Sequence, residues 1–385
     1  MRRLVLLASA IVLVDTMFYA VVAPLLPHYA DELHLSKAAA GILAAAYGAG
    51  TLVGSLPAGA FAARFGARPT VFAGLALLGG SSVAFGFSEN VVVLDLARFV
   101  QGVGGACSWA GTMAWLIESA PPSRRGEMIG TALGAAIGGA LFGPVVGAVA
   151  EATAPEIVFG SVLVIAGGLA AWAASTPPPP ASEPQGLGNV AHALHERRVI
   201  AGMWLVALPA AGFGVVGVLG PLRLDDLGAS AAVVGATFLV AAAVEAIVSP
   251  IVGRISDRRG RVVPVRAGLA ATVVLLLLFT LPGAILPLAA LLVVTTAAMG
   301  FFWAPAMAML SDAAERSGVH QGLAFGLVNL AWAIGQVSGS AGGGALAKAT
   351  TDATATAAVA AAALLTLVAL TRLRGRAGAA VPGRR

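Results

Sequence analysis

The chain has 385 residues, of which 58% are hydrophobic and 11% are charged, whereas soluble domains carry about 25% charged residues. This composition excludes an ordinary soluble protein. Apolar runs of about 20 residues, the length that crosses a bilayer, recur along the whole chain. They predict an all-α integral membrane protein with twelve transmembrane helices, at residues 4–27, 37–61, 68–87, 91–115, 126–150, 155–175, 199–222, 231–253, 262–282, 285–310, 321–346 and 353–371.

The formal net charge of +5 reflects the predicted topology and does not indicate a nucleic-acid partner. With the N-terminus inside, Lys37, Arg223 and Lys348 fall on the outer side and Arg98 falls within a span. The other arginines lie on the inner side, as the positive-inside rule requires. Both termini are therefore predicted to be cytoplasmic. A high content of alanine, glycine and arginine, with two lysines, favours a bacterial source and hence the inner membrane.

The first span carries a candidate proton-binding residue. A charge at the bilayer centre costs about 2.5–3.5 kcal/mol on insertion scales, so Asp15, Arg98 and Glu245 in spans one, four and eight each need an explanation. Asp15 lies about 16 Å along its helix at 1.5 Å per residue, which is near the midplane. Arg98 lies in span four, which runs in the opposite direction, at a depth that would allow it to pair with Asp15. We expect Asp15 to bind a proton or a cation; a purely structural ion pair with Arg98 is the alternative.

The other two spans with charges add a second carboxyl group and a set of cavity candidates. Glu245 is either a proton-exchanging group or a hydrogen-bonding partner inside the second half, where the eleventh span presents polar and aromatic residues on one helical face. Arg98 and Glu245 complete the predicted proton-coupling set with Asp15. The side chains predicted to line a substrate cavity are Tyr19 on the Asp15 face of span one, Gln101 and Trp109 on the Arg98 face of span four, and Asn329, Trp332 and Gln336 on one face of span eleven.

A proline-rich break divides the chain into two related halves. Residues 176–198 contain four consecutive prolines and several charges, which predict an extended cytoplasmic linker. It separates a six-helix bundle at residues 1–175 from another at 199–385, which ends in a short cytoplasmic tail. One constant shift aligns the two halves without a gap, which indicates an internal repeat. The aligned pairs are Ser36 with Ser230, Gly41 with Gly235, Ser55 with Ser249, Gly59 with Gly253, Arg64 with Arg258, Gly66 with Gly260, and Gly74 with Gly268.

Three sequence motifs carry a family resemblance. The fifth span reads G-x-x-x-G-P-x-x-G at Gly139, Gly143, Pro144 and Gly147, and glycines four residues apart let another helix approach closely. The fourth span reads R-x-x-Q-G-x-G from Arg98. The loop after the eighth span reads Gly253-Arg-Ile-Ser-Asp257-Arg258-Arg259-Gly260-Arg261. Together these motifs resemble the twelve-helix drug:proton antiporters of the major facilitator superfamily.

The resemblance implies a secondary active transporter that exports small amphipathic compounds or drugs in exchange for protons by alternating access. It also implies that the two repeated loops act as a conformational latch, in which charged side chains form a relay with the opposite half and hold one conformational state. In the first loop Ala63 stands where the family has Asp, so the second loop is expected to take more of this role; the alternative is that the arginines only anchor the loops. The latch residues are Gly59, Arg64, Gly66, Gly253, Asp257, Arg258 and Gly260.

Two other functions remain open at this stage, namely proton-linked uptake of a nutrient and a non-transporting membrane receptor with the same fold. An enzyme is not expected, because the sequence has no G-x-x-x-x-G-K-[ST] nucleotide loop and no metal cluster among its five histidines and one cysteine. No cofactor or metal is predicted. The expected partners are a small-molecule substrate, protons and the lipid bilayer, and the protein is expected to be a monomer.

Overall fold

The computed structural model describes residues 1–120, 125–177, 193–319 and 321–379, and these parts of the chain are helical with short connections. The helices are α1 (Arg2–Ala20), α2 (Val22–Glu32), α3 (Lys37–Phe65), α4 (Ala67–Gly86), α5 (Val91–Ser119), α6 (Arg125–Ala152), α7 (Pro155–Ala174), α8 (Arg197–Asp226), α9 (Ala231–Arg259), α10 (Val262–Leu278), α11 (Ile285–Arg316), α12 (Gln321–Val337), a π-helical turn (Ser338–Gly342), α13 (Gly343–Ala349) and α14 (Asp352–Ala379).

These elements form twelve membrane spans. Ten helices in the described ranges are long and apolar enough to cross a membrane, with α1 and α2 counted as one. The ninth span, α10, is shorter, with 17 residues. The eleventh consists of α12, the π-helical turn and α13. The predicted all-α architecture with twelve transmembrane helices is therefore confirmed, with two spans that are not continuous α-helices.

The internal repeat is visible in the backbone. Helices α3 and α9 both have 29 residues, and each begins after a serine in extended conformation, Ser36 or Ser230. Each ends at a glycine with positive φ, 91° at Gly66 and 86° at Gly260, a conformation that side chains disfavour. These four residues are aligned pairs of the sequence repeat. The repeat therefore specifies where both helices begin and end.

Helices α1–α7 pack mainly against one another, and so do α8–α14. The most extensive contacts between the two halves come from three places: α3 against α12, the π-helical turn and α13; α6 against α9; and α2 against α8 and α9. Most of the predicted linker lies outside the described residues, as do residues 380–385 of the predicted tail. The division into bundles at 1–175 and 199–385 stays a prediction.

The halves meet most tightly on the side of the molecule where α3 begins. There a β-carbon on Gly41 would lie 2.5 Å from the carbonyl oxygen of Ser340 and 3.2 Å from the Cα of Gly344. Lys37 of α3 forms an ion pair with Asp352 of α14, at 2.7 Å between Nζ and Oδ1. We call the packing of α3 at Lys37 and Gly41 against Ser340 and Gly344, together with this ion pair, the α3–α13 seam. The opposite side of the molecule, where α3 and α9 end, is called the arginine-rich face.

Candidate functional site

A cavity of about 550 Å³ lies between the two halves. Its lining extends along α6 to Leu133, along α9 to Ser249 and along α11 to Met307, which is toward the arginine-rich face. On the other side it reaches Ser340 of the seam. The charged, amide and aromatic side chains in its wall are Asp15, Tyr19, Tyr47, Arg98, Trp109, Phe213, Phe238, Glu245, Trp303, Asn329, Trp332 and Gln336.

Asp15 is almost fully buried, with 1% of its surface exposed, and it lies in the first-half wall of this cavity. Its Oδ2 accepts two hydrogen bonds, from Tyr47 Oη at 2.9 Å and from Trp109 Nε1 at 3.0 Å. Its Oδ1 is buried and has no hydrogen-bond partner among the described residues. The carboxyl group is thus held in place through one oxygen while the other is left without a donor.

Glycines of α5 create the space in which this arrangement forms. A β-carbon on Gly102 would collide with the carbonyl oxygen of Tyr47, so α3 crosses α5 with backbone against backbone. A β-carbon on Gly105 would collide with Tyr47 Oη and lie 2.9 Å from Asp15 Oδ1. The α5 face that begins at Arg98 and ends at Trp109 therefore meets Asp15.

Arg98 does not pair with Asp15. Its Nη1 donates to the carbonyl oxygen of Phe18 at 2.8 Å and to Gln101 Oε1 at 2.7 Å, and its Nη2 donates to the carbonyl oxygen of Tyr19 at 3.0 Å. The carbonyl groups of Phe18 and Tyr19 lie near the end of α1, six and five residues before Pro24. Within the described residues no ion pair joins Arg98 to Asp15, so the alternative of a structural pair does not describe this conformation. Arg98 binds the junction of α1 and α2.

Of the residues predicted to line a substrate cavity, Gln101 lies elsewhere. It is fully buried, accepts from Arg98 and donates to Ser82 Oγ of α4 at 2.7 Å, so it lies behind the wall. The physical reason is that its amide satisfies the guanidinium and a hydroxyl group at the same time. The other members of the predicted set line the cavity, and they are Tyr19, Trp109, Asn329, Trp332 and Gln336.

Glu245 lines the second-half wall from α9. Its side chain packs on Gly300 of α11, where a β-carbon would lie 3.1 Å from Cγ and 3.4 Å from Oε1 of Glu245. The hydrogen bond to the eleventh span that the sequence suggested is not formed: the carboxyl group has no hydrogen bond or ion pair in the described part of the chain. Glu245 therefore contributes an unpartnered carboxyl group to the cavity.

Aromatic side chains join the two halves between the cavity and the seam. The Tyr19 ring lies 5.1 Å from that of Tyr47 and 5.3 Å from that of Trp332, in the other half. Further along α12, Gln336 donates to Ser340 Oγ at 3.3 Å, and its own Oε1 is buried without a partner among the described residues. The predicted polar face of the eleventh span thus leads from the cavity to the π-helical turn, a feature that is often associated with function.

The glycines of the fifth-span motif pack against the first span, as their spacing predicted. β-Carbons on Gly139 and Gly143 would lie 2.9 Å from Met17 N and 2.7 Å from its carbonyl oxygen, and one on Gly147 would lie 2.5 Å from Pro24 Cγ. Pro144 faces the cavity, and its carbonyl oxygen approaches Gly235 of α9. The motif therefore holds α6 along the helix that carries Asp15, and it also touches the second half.

The predicted latch residues lie at the arginine-rich face. The Arg64 guanidinium lies 5.3 Å from the ring centre of its neighbour Phe65, and Arg258 has no hydrogen bond or ion pair to another described residue. Gly59 and Gly253 face open space. The Asp257 side chain lies outside the described residues. Neither arginine forms a hydrogen bond or ion pair with a described residue of the opposite half, and the relay role of the latch stays a prediction.

Sequence reasoning missed several side chains in the cavity wall. Tyr47, the second donor to Asp15, is one of three tyrosines in the chain, and it lies in a span composed mainly of alanine and glycine. A phenol among small apolar residues was the available signal. Phe213, Phe238 and Trp303 also line the cavity, but single aromatic residues in membrane spans give no comparable signal.

Known proteins resemble parts of this chain. It is 31% identical over 163 residues to the MFS-type transporter ppzB of Metarhizium majus (strain ARSEF 297), which covers 41% of this chain and 33% of the relative. It is 29% identical over 109 residues to Multidrug resistance protein 1 of Bacillus subtilis (strain 168), covering 28% of each. It is 29% identical over 119 residues to the 4-hydroxybenzoate transporter PcaK of Pseudomonas putida, covering 31% and 27%. These matches span about a third or less of the relatives.

Two comparisons cover nearly the whole chain, one with a solved structure and one with a family model. The xylose transporter XylE from E. coli, solved in a partially occluded inward open conformation, superposes with a TM-score of 0.75 at 16% sequence identity, covering 100% of this chain and 99% of that chain. At that identity the likeness shows the fold alone. The family model of the Major Facilitator Superfamily matches residues 8–222 and 202–384. This multi-pass membrane protein belongs to the Major Facilitator Superfamily.

Proposed function

We propose that this transporter exports small amphipathic compounds in exchange for protons by alternating access. The observation that carries the proposal is the position of Asp15, a buried carboxyl group in the wall of a cavity between two repeated halves. The α3–α13 seam separates that cavity from one side of the membrane. A carboxyl group that meets substrate and proton in the same cavity can couple their movements across the bilayer.

The two oxygens of Asp15 suggest how the proton is carried. Oδ2 already accepts hydrogen bonds from Tyr47 and Trp109, whereas Oδ1 has no donor among the described residues. A proton on Oδ1 therefore removes the charge without breaking either hydrogen bond. When one proton exchanges for a neutral compound, 100 mV is worth about 2.3 kcal/mol, or roughly a fifty-fold gradient. When one proton exchanges for a monocation no net charge moves, so the pH gradient alone drives export.

The cavity supports amphipathic compounds as substrates. Its volume of about 550 Å³ falls in the range of sites for drug-sized molecules. Tyr19, Trp109, Trp303 and Trp332 provide aromatic surface beside a small number of polar groups. Multidrug resistance proteins are among the relatives in sequence, which agrees with this substrate class and with the antiporter motif of α6.

Proton-linked uptake is the second candidate, and the relative named as a 4-hydroxybenzoate transporter gives it a specific form. An organic anion fits this cavity poorly. Asp15 and Glu245 both line it, and three donor contacts of Arg98 are already made to Phe18, Tyr19 and Gln101. A receptor that does not transport would tolerate loss of Asp15 and Arg98.

The remaining assignments follow from the proposed function. We propose that the halves at 1–175 and 199–385 rock against each other as two bundles joined by the linker at 176–198. The arginine-rich face is assigned to the cytoplasm of a bacterial cell, with both termini on that side of the inner membrane. The partners are protons, the lipid bilayer and the exported compound, and the protein acts as a monomer without a cofactor.

The test is proton flux in proteoliposomes with an inside-acid pH gradient, on addition of a panel of lipophilic cations and neutral drugs. Wild type, Asp15→Asn and Asp95→Asn run side by side. Asp95 is the matched control because it is an acid in a span, on α5, that does not line the cavity. We expect compound-triggered proton movement in wild type and in the control, and none in Asp15→Asn.

Two results contradict the proposal. Proton movement that persists in Asp15→Asn removes this residue from the coupling step. Accumulation of a compound together with protons, rather than against them, shows uptake in place of export.

A further inference from the structure

The two carboxyl groups in the cavity wall differ in what the protein offers them. Asp15 receives two hydrogen bonds from Tyr47 and Trp109. Glu245, in the opposite wall, has no hydrogen bond or ion pair within the described residues. A carboxylate in apolar surroundings is expensive unless it is paired. The protein thus supplies donors for one acid and leaves the other without them.

No positive charge of the cavity wall is available for Glu245. Arg98 is the one cationic side chain among the described residues that line the cavity. Three of its donor contacts go to Gln101 and to the main chain where α1 meets α2, and its guanidinium lies 5.2 Å from the Tyr47 ring centre in the first half. Glu245 can therefore be neutralised in two ways, by a proton or by a cation that enters the cavity.

The backbone of α11 sets the position of Glu245. Its Cγ and Oε1 pack on Gly300 at 3.1 and 3.4 Å from the β-carbon position, so any side chain there would displace the carboxyl group. Phe238, Trp303 and Trp332 line the same cavity, and aromatic faces attract organic cations. An acid without a partner in a wall that also carries aromatic rings suits a cation with an apolar body.

We propose that Glu245 is the counter-ion for a positively charged nitrogen or phosphonium group of the transported compound, while Asp15 carries the exchanged proton. Glu245 is thus a specificity-determining residue, and the compounds it selects are lipophilic monocations. This assignment rests on the proposed function for its place in transport. The binding step itself requires no proton gradient and can be measured alone.

The experiment is equilibrium binding to the purified full chain in lipid nanodiscs. The probes are tetraphenylphosphonium, a permanent monocation, and triphenylphosphine oxide, a neutral compound with a similar aromatic body. The variants are Glu245→Gln, Glu245→Asp and Asp15→Asn, with Asp95→Asn as the control outside the cavity. A permanent cation is used so that the probe's own charge does not change with pH.

We expect Glu245→Gln to weaken binding of the cation by about tenfold or more, as for loss of one desolvated charge contact, and to leave the neutral probe within about twofold. Neutral-probe binding also shows that the variant is folded. Glu245→Asp keeps the charge and should keep a preference for the cation. Asp15→Asn should weaken binding of the cation less than Glu245→Gln does, because Tyr47 and Trp109 already donate to the Asp15 carboxyl group.

Three results overturn the assignment. If Glu245→Gln binds the cation as tightly as wild type does, Glu245 makes no charge contact with it. If Glu245→Gln weakens binding of both probes equally, Glu245 has a packing role. The same conclusion holds if Glu245→Asp binds the probes as Glu245→Gln does. A larger loss of cation binding in Asp15→Asn than in Glu245→Gln transfers the contact to Asp15. Failure of proton exchange in proteoliposomes would end the proposed function without changing any of these binding results.

Discussion

Gly41 is the position at which a single methyl group should shift the conformational equilibrium. In the closed α3–α13 seam, a β-carbon there would lie 2.5 Å from the carbonyl oxygen of Ser340 and 3.2 Å from the Cα of Gly344. Both atoms belong to the backbone of the other half, so neither can rotate away. Gly41→Ala therefore destabilises the conformation in which the seam is closed.

The size of the effect follows from these distances. Ordinary contacts of a β-carbon lie at 3.4–4 Å, so α3 and the π-helical turn must separate by about 1 Å at this point. Overpacking of this kind costs about 1–3 kcal/mol. The cost applies only while the seam is closed. It should move the population toward the conformation with an open seam by about 5- to 150-fold.

The assay is a distance measurement between spin labels on the seam side, at Glu89 in the loop after α4 and at Gly283 in the loop after α10, both exposed. Cys107, the one native cysteine, is replaced by serine. Gly342→Ala is the matched control, since a β-carbon there meets nothing within 4 Å. We expect Gly41→Ala to add a population at longer distance and the control to match wild type. An unchanged distribution, or the same change in the control, refutes the reasoning.

Two further predictions concern Asp15 and the ion pair at the seam. Gly105→Ala should displace Tyr47, whose Cζ would lie 3.1 Å from the new β-carbon, and break its hydrogen bond to Asp15. A hydrogen bond to a charged group is worth about 1.5–3 kcal/mol, so coupled proton flux in proteoliposomes should fall by about 10- to 150-fold. Flux equal to that of wild type would contradict this prediction. Asp352→Asn should destabilise the closed seam by about 1 kcal/mol or less, because the Lys37 side chain is 36% exposed and water screens the pair. The spin-label distances should return to those of wild type in the double variant Lys37→Asp with Asp352→Lys. Failure of that rescue would count against the ion pair.

Most of the fold could be predicted because its determinants are local. Apolar runs of span length give the helices. The predicted starts of α3 and α9 at residues 37 and 231 agree with the structure, whereas both helices run past the predicted ends at 61 and 253 to Gly66 and Gly260. The breaks within spans were not predicted. The π-helical turn Ser338–Gly342 lies in a glycine-rich stretch that permits several backbone geometries, and packing decides among them: a β-carbon on Gly339 would collide with the carbonyl oxygen of Ala211 in α8.

The site shows the limit of arguing from helical faces and depth. Periodicity correctly placed Arg98 and Trp109 on the α5 face that meets Asp15. It could not show that the end of α1 offers two main-chain carbonyl groups to Arg98, because Pro24 weakens the helix before it without fixing which carbonyl groups face α5. Once those carbonyl groups are available, they compete with the carboxylate for the guanidinium. The donors to Asp15 come instead from neutral side chains.

The same packing indicates which contacts can change during transport. Helices α3 and α5 meet backbone to backbone, since a β-carbon on Gly54 would lie 3.1 Å from the Cα of Val103, so we expect Tyr47 and Trp109 to move together. The Tyr19–Trp332 contact, by contrast, joins the two halves at 5.3 Å. We expect opening of the seam to break this contact, because it moves the two halves apart on that side. Because Tyr19 lies one helical turn from Asp15 on α1, we expect the state of the carboxyl group to reach the second half through Tyr19 and not through the donors of Asp15.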